Sequence, residues 1–581
     1  MPSSRTPLAL MLCAMLGVLG CSGTAPTAPT AATGGGDPTP AESPERSDPT
    51  PGEPEPSAGD DPTAGGSEGP GSGGSDSGGS VGSGGATEPA EDAERVLSVA
   101  IQEPGTLDPL RVADPGAALV VRQLFEGLTR WDPGAEKVVP AAARSWEVAH
   151  GGRVFRFTLR KGMRFHDGSP VRARDFRFAF DRIARKSSAS DLAYTLELVR
   201  GFTATNGFGD TDHLRGLSSP DARTLVIRLS EPYRDFPAVL THPSLVPVPA
   251  KAAAAKRSWV RRPVGNGPFK LATRWTPGRP IELDAWRKGA GAPRLGGVRF
   301  VPYPDPLASW PDILEGSIDV AEVPADEIDA AEAAFGAGDF GPLLAGYYIG
   351  FNIDSDQLDD IRMRKAINRA INRRRIADEI YDRSLIEPRG VVPAGIPGFN
   401  RDMCLGLCDH SLKAARRLVK KIPADGRTVT LDYTTESPHG RVARSIAGDL
   451  RAAGLKVDVN GYRFPAFLQR LSDDQQSLYR LGWIAEYPAA DAFLTPLFRS
   501  DSLDNHSGLE SDRVDRLLAR AHREPSPRER NRLYRKAEAV VLRQVPLAPI
   551  GTFVTRWAVR PPGVDVHFDV MGGFDAVSIE G

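Results

Sequence analysis

The sequence predicts an α/β protein with mixed sheets, on three observations. Residues 428–433 and 455–459 are β-rich runs separated by an amphipathic stretch at 442–453. A strand–helix–strand unit of this length is the crossover of an α/β domain. Second, Val154–Leu159 alternates apolar and polar residues at period two, the pattern of a half-buried antiparallel strand. Third, all 23 Phe, 8 Trp and 11 Tyr lie after residue 94, so the core-forming chain is the last 487 of 581 residues. That is enough for about three domains' worth of core.

Taken in order, residues 96–101 form a short β-like run that turns at Glu103-Pro104-Gly105. Residues 117–128 place apolar side chains at 119, 120, 124, 125 and 128, a helical spacing. Asp167-Gly168-Ser169-Pro170 is a turn. In 175–184, Phe176, Phe180 and Ile183 share one face of a predicted helix. Residues 361–380 predict one long basic helix, and 514–519 a short one. A last helix spans 527–542, with Ser526 as its N-cap and Pro527 at the first helical position.

The N-terminus is built differently. Arg5 precedes an apolar stretch at 7–20, which is too short to span a bilayer and fits an export signal. The segment 22–94 holds no aromatic residue, Val81 as its one branched aliphatic, 17 Gly and 12 Pro. It cannot bury enough apolar surface to offset the entropy of ordering, so it reads as a disordered tether. It carries 14 acidic residues and one basic one, Arg46. With a formal total of −2 and Arg5 in the leader, the rest of the chain is left with +10. No long Lys/Arg run concentrates that surplus, so nucleic acid is not an expected partner. Gly78-Gly-Ser-Val-Gly82 matches a hydrolase elbow, but has no strand before it or helix after it.

Cys404 and Cys408 are close in sequence, and in an exported chain such a pair is most simply a local disulfide. The alternative is metal binding with Asp409 and His410. No phosphate-cradling loop, His-Glu-x-x-His or paired Cys-x-x-Cys is present, and the nine His are scattered. The expectation is therefore a recognition protein, not an enzyme, with no cofactor or resident metal.

The motifs then become specific. In order come Glu103-Pro-Gly-Thr-Leu-Asp-Pro109, Leu124-Phe-Glu-Gly-Leu128, Pro140-Ala-Ala-Ala-Arg-Ser-Trp-Glu147, Phe155-Arg-Phe-Thr-Leu-Arg160 and Phe165-His-Asp-Gly-Ser-Pro-Val-Arg-Ala-Arg-Asp175. Gly265-Asn-Gly-Pro-Phe269, Leu314-Glu-Gly-Ser-Ile-Asp319, Gly350-Phe-Asn352, Arg364-Lys-Ala-Ile-Asn-Arg-Ala-Ile-Asn372 and Gly482-Trp483 follow. Together they resemble the extracellular solute-binding proteins, family 5, which serve oligopeptide, dipeptide and nickel ABC importers. Val18-Leu19-Gly20-Cys21 likewise resembles a bacterial lipobox, which implies lipidation at Cys21 and anchoring at the outer face of the cytoplasmic membrane; a monomer is expected.

The resemblance implies a two-lobed periplasmic-binding-protein-like fold, type II, with an extra subdomain. Residues 1–20 would be the signal and 21–94 the lipidated Cys and tether. Lobe I would comprise 95–135, 241–335 and 545–581, with the inserted subdomain at 136–240 and lobe II at 336–544. Ligand would sit between the lobes, and the permease and its ATPase subunits would be the partners. Relatives that bind peptides hold the α-ammonium with an Asp in a Gly-Trp-x-x-Asp stretch. Glu486 takes that position, one methylene longer, and Ala489-Ala490 replaces the usual Asp-Pro. Trp483 would wall the pocket or fill core. Asp114, Tyr194 and Asn352 complete the candidate ligand residues. The implied solute is peptide-like; nickel chelate, haem, oligosaccharide and opine-like ligands are alternatives, as is a sensor lipoprotein without a transporter.

Overall fold

The computed structural model describes residues 95–254, 256–288, 293–336, 339–560, 566 and 568–574. The expected signal, Cys21 and the tether lie outside these residues. One mixed sheet of eleven strands organises the body. Its order starts with Lys456–Tyr462, Thr428–Thr434 and Leu478–Ile484, then the two longest strands, Asp339–Phe351 and Leu547–Val559. It continues through Val320–Glu322, Val96–Gln102, Gly297–Tyr303, Ile281–Ala285 and Phe269–Leu271, and the eleventh strand, Leu385–Ile386, pairs with Leu547–Val559 off this path. Thr428–Thr434 pairs parallel with Lys456–Tyr462, and the helix His439–Ala453 crosses between them. The two long strands pair antiparallel, and Val96–Gln102 runs parallel to Gly297–Tyr303.

Separate cores flank the long strands. One gathers Val99, Val120, Phe157, Phe180 and Phe300 from the N-terminal half. Two more gather side chains from the C-terminal half, among them Ile367, Leu431 and Ile446 in one, Leu481, Phe493 and Tyr534 in the other. The strand Leu547–Val559 serves both halves: Ile550 and Phe553 pack in a C-terminal core, Trp557 in the N-terminal one. A second, antiparallel sheet of four strands is built from Ala143–Ala149, Val154–Leu159, Thr224–Arg228 and Leu217–Ser218. The helix Ala173–Ala184 contributes Phe176, Phe180 and Ile183 to the same core as Phe155 and Phe157.

Three predicted helices differ from the observed ones, the one at 514–519 being the middle of a longer helix, Asp512–Arg523. The one placed at 117–128 is Pro115–Leu124, capped by Asp114, whose carboxylate accepts from the Ala117 amide at 2.7 Å. It stops early because the Gly267 amide takes the Leu124 carbonyl at 2.9 Å and Phe125 turns extended. The long helix at 361–380 is two, Ile361–Ala370 and Arg373–Ile380. Ile371 is extended, the Asn372 side chain caps the Arg375 amide at 3.1 Å, and the Asn372 amide donates to Asp449 at 2.9 Å. A polar residue that can cap competes locally with helix continuation. Cys404 and Cys408 are joined as a disulfide with Cα atoms 5.5 Å apart.

Candidate functional site

The site forms where the strand Leu478–Ile484 runs out. Its odd-numbered residues Tyr479, Leu481 and Trp483 pack into one C-terminal core, a consequence of the two-residue side-chain period. Trp483 is buried and its indole N–H donates to the Ala492 carbonyl at 2.7 Å. With that donor satisfied, the ring offers an apolar face. Beyond the strand, Glu486 stays partly exposed, with 23% of its side chain accessible.

Across from it is a turn from the other half of the chain. His242 Nε2 lies 3.3 Å from Glu486 Oε2. The Ser244 amide donates to His242 Nδ1 at 3.2 Å, and the Ser244 hydroxyl is 2.6 Å from the same nitrogen. An amide donor at Nδ1 leaves the ring proton on Nε2, the nitrogen that faces the Glu486 carboxylate. Tyr194 faces the same carboxylate: burial, then the Glu486 charge and hydrogen bond, hold its hydroxyl well above the usual phenol range. Tyr194, His242, Trp483 and Glu486 line one cavity of about 90 Å³, walled by Phe236 and Val239. At about 30 Å³ per water in the liquid, this is room for a few waters or one polar head group.

Behind the cavity lies a buried polar network. The Tyr233 and Tyr487 hydroxyl oxygens lie 3.0 Å apart. Asp491 meets His522 Nε2 at 2.7 Å and accepts from Thr495 at 2.6 Å. Burial alone would raise the Asp491 pKa, but His522 and the hydrogen bonds of His522, Thr495 and Tyr233 hold it low. Burial alone would lower His522, but Asp491 outweighs it and raises it. Asp235 pairs with Arg530 at 2.7 Å and accepts from the Tyr534 hydroxyl at 2.8 Å.

The other two candidates lie away from the cavity. Asp114 caps its helix and also accepts from the Gly105 amide at 3.2 Å. Asn352 is buried and holds loops together, donating to the Gln476 carbonyl at 3.1 Å and accepting from the Asp354 amide at 3.2 Å. The sequence reading missed His242, which sits in no periodic pattern. It also missed Arg480, for which a charge inside the apolar strand Leu478–Ile484 was a signal. Arg480 is fully buried over the Tyr347 ring at 4.5 Å. Beside it His439 is buried, and burial followed by the Arg480 charge pushes its pKa down to about 2.

Comparison with known proteins agrees with this architecture. The chain is 29% identical over 465 residues to the probable deoxycholate-binding periplasmic protein YgiS of Escherichia coli (strain K12), covering 77% of this chain and 86% of that protein. It is 24% identical over 477 residues to the oligopeptide-binding protein OppA of Bacillus subtilis (strain 168), covering 78% and 87%. Among solved structures, the unliganded open form of the murein tripeptide-binding protein MppA superposes with a TM-score of 0.76 at 24% identity, over 84% of this chain and 98% of that one. Haemophilus influenzae OppA in complex with RPPGFSPFR superposes with a TM-score of 0.63 at 21% identity, over 84% and 99%. These are two-lobed periplasmic binding proteins, and the fold is theirs. The profile of the bacterial extracellular solute-binding proteins, family 5 Middle, matches residues 137–505, and the chain belongs to that family.

Proposed function

We propose that this protein is the lipid-anchored binding component of an ABC importer, taking a peptide-like solute between two lobes and handing it to the permease. The observation that carries this is the Glu486 carboxylate, set in a small cavity with Tyr194 and His242 and apolar walls. Glu486 and Trp483 come from the segment assigned to lobe II. Tyr194 and His242 come from the inserted subdomain and lobe I, so a ligand bound here would touch both and favour closure. A peptide α-ammonium suits the cavity: it is compact, cationic and a donor only, and a partly desolvated carboxylate strengthens the pairing. The rest of the peptide would extend beyond the cavity into the space between lobes. Lipidation at Cys21 and the tether would keep the receptor within reach of the membrane.

Titration calorimetry against a di- to hexapeptide library tests this. Glu486→Gln is expected to weaken an N-terminally free peptide by about 2 kcal/mol, near thirtyfold, and an acetylated one far less. Equal loss for both would remove Glu486 from the ammonium role. A second ligand class is favoured by one observation, the apolar walls of Phe236, Val239 and Trp483. Together with the name of the Escherichia coli relative, they make deoxycholate the first non-peptide to titrate. Binding of deoxycholate without any peptide would replace the peptide reading.

A further inference from the structure

No long run of Lys or Arg concentrates the +10 of the body in the sequence, yet folding collects part of it. A groove of about 930 Å³ is lined by Lys365 and Arg369 from the helix Ile361–Ala370, Arg417 from Leu412–Val419, Lys420 and Lys421 beyond its end, and Arg543 from Pro527–Gln544. Arg369 pairs with Asp409 at 3.6 Å. Among the described residues, no ion pair engages the other five cations. At the rim stands Leu405, which is 73% exposed. It is held outward, not left loose. The Cys404–Cys408 disulfide closes the loop beneath it, the Cys408 amide bonds the Cys404 carbonyl at 2.9 Å, and Arg369 donates to the Gly406 carbonyl at 2.6 Å. Leu407 and Leu418 add apolar surface to the groove.

We infer that this groove is a docking surface for an anionic phospholipid bilayer, with Leu405 entering the interface and the cations facing the headgroups. A site for one small anion would need oriented, desolvated donors. Here the charges sit on long side chains of three helices and of the turn after one of them, five without an ion pair among the described residues, beside a fixed apolar tip. Distributed cations next to an inserted apolar residue are how a surface meets anionic lipid. The lipobox-like Cys21 places the body within tether reach of such a surface. Docking would fix which way the cleft faces, and it does not depend on what the cleft binds.

The test uses the full chain carrying Cys21→Ser, so that no covalent lipid masks the contact. It is sedimented with vesicles of phosphatidylcholine alone and with about one quarter phosphatidylglycerol. Excess binding to the anionic vesicles is expected, and should vanish at about 1 M salt, where screening shortens to about 3 Å. The double variant Lys420→Ala, Lys421→Ala should cut that excess about thirtyfold, at about one Lys-equivalent of headgroup attraction each. Leu405→Ser should cut it about fivefold. Arg543→Ala, on a different helix, should weaken it too, and unchanged circular dichroism would show that each variant is folded. No anionic excess, or an excess that all three variants retain, overturns the proposal. So does binding of soluble polyphosphate through these residues while vesicles are ignored.

Discussion

At the scale of single residues, the buried pair Asp491–His522 makes a sharp prediction. The two groups are 2.7 Å apart and nearly inaccessible, with 4% and 9% of their side chains exposed. His522 is raised above its usual 6.5, so its contribution to stability is complete below 6.5 and fades as pH rises through its folded value. Asp491 is held below its usual 3.8, so its contribution is complete above 3.8 and fades as pH falls through its folded value. The pair is therefore worth most between 3.8 and 6.5. His522→Ala leaves a buried carboxylate without its cation and should cost about 3–5 kcal/mol in that window. Urea unfolding at a series of pH values measures it. A cost that grows above pH 6.5 would mean the pair is not charged as described. Glu486, by contrast, keeps access to solvent beside His242 Nε2, which leaves acceptor capacity for a ligand.

At the scale of elements, close backbone approaches and one buried acid set the arrangement around the site. A Cβ on Gly265 would lie 1.8 Å from the Leu124 carbonyl oxygen, which belongs to backbone already held by Gly267. Gly265→Ala should destabilise by more than about 3 kcal/mol in chemical denaturation, since no flexible side chain can yield. Glu538 anchors a different segment, accepting from the amides of Val391 and Val392 at 2.6 and 3.1 Å. Burial raises its pKa from 4.5 to about 7 against those two hydrogen bonds. The folded state thus holds a proton that the unfolded state releases, and stability falls as pH rises from 4.5 to about 7. Glu538→Gln should gain on the wild type by about 3 kcal/mol across that range, read from paired unfolding curves. The strands Val154–Leu159 and Thr428–Thr434 and the helix Pro527–Gln544 were legible because side-chain period and capping are local signals. The break at Ile371-Asn372 was not. The apolar period carries on through it, and the partner that settles the matter, Asp449, is distant in sequence. The site divides the same way. Trp483 and Glu486 sit in a motif, while His242 becomes a neighbour of Glu486 only through the fold. The cations of the groove were invisible for the same reason.

At the scale of the whole molecule, the continuous sheet joins the two halves through strands, and the buried polar network joins them through side chains. Tyr233 and Phe236 belong to the N-terminal core, and Tyr534 and Ala521 to a C-terminal one. Between them Asp235 takes both Arg530 and the Tyr534 hydroxyl, and the Arg234 amide donates to the His522 carbonyl at 3.0 Å. Arg530 is itself fixed by donation to the Glu524 carbonyl at 2.8 Å, so the pair loses little side-chain entropy when it forms. A pair with only 12% and 14% of its side chains exposed is governed by desolvation, and removing one partner hurts more than removing both. Arg530→Met alone should therefore cost about 3–5 kcal/mol, because it strands the Asp235 carboxylate. Adding Asp235→Asn, which still accepts from Tyr534, should recover about 1–3 kcal/mol as the coupling of a double-mutant cycle. Denaturation midpoints of the four chains give that coupling directly. If the double variant loses the sum of the two single losses, Asp235 and Arg530 do not act as one link between the halves.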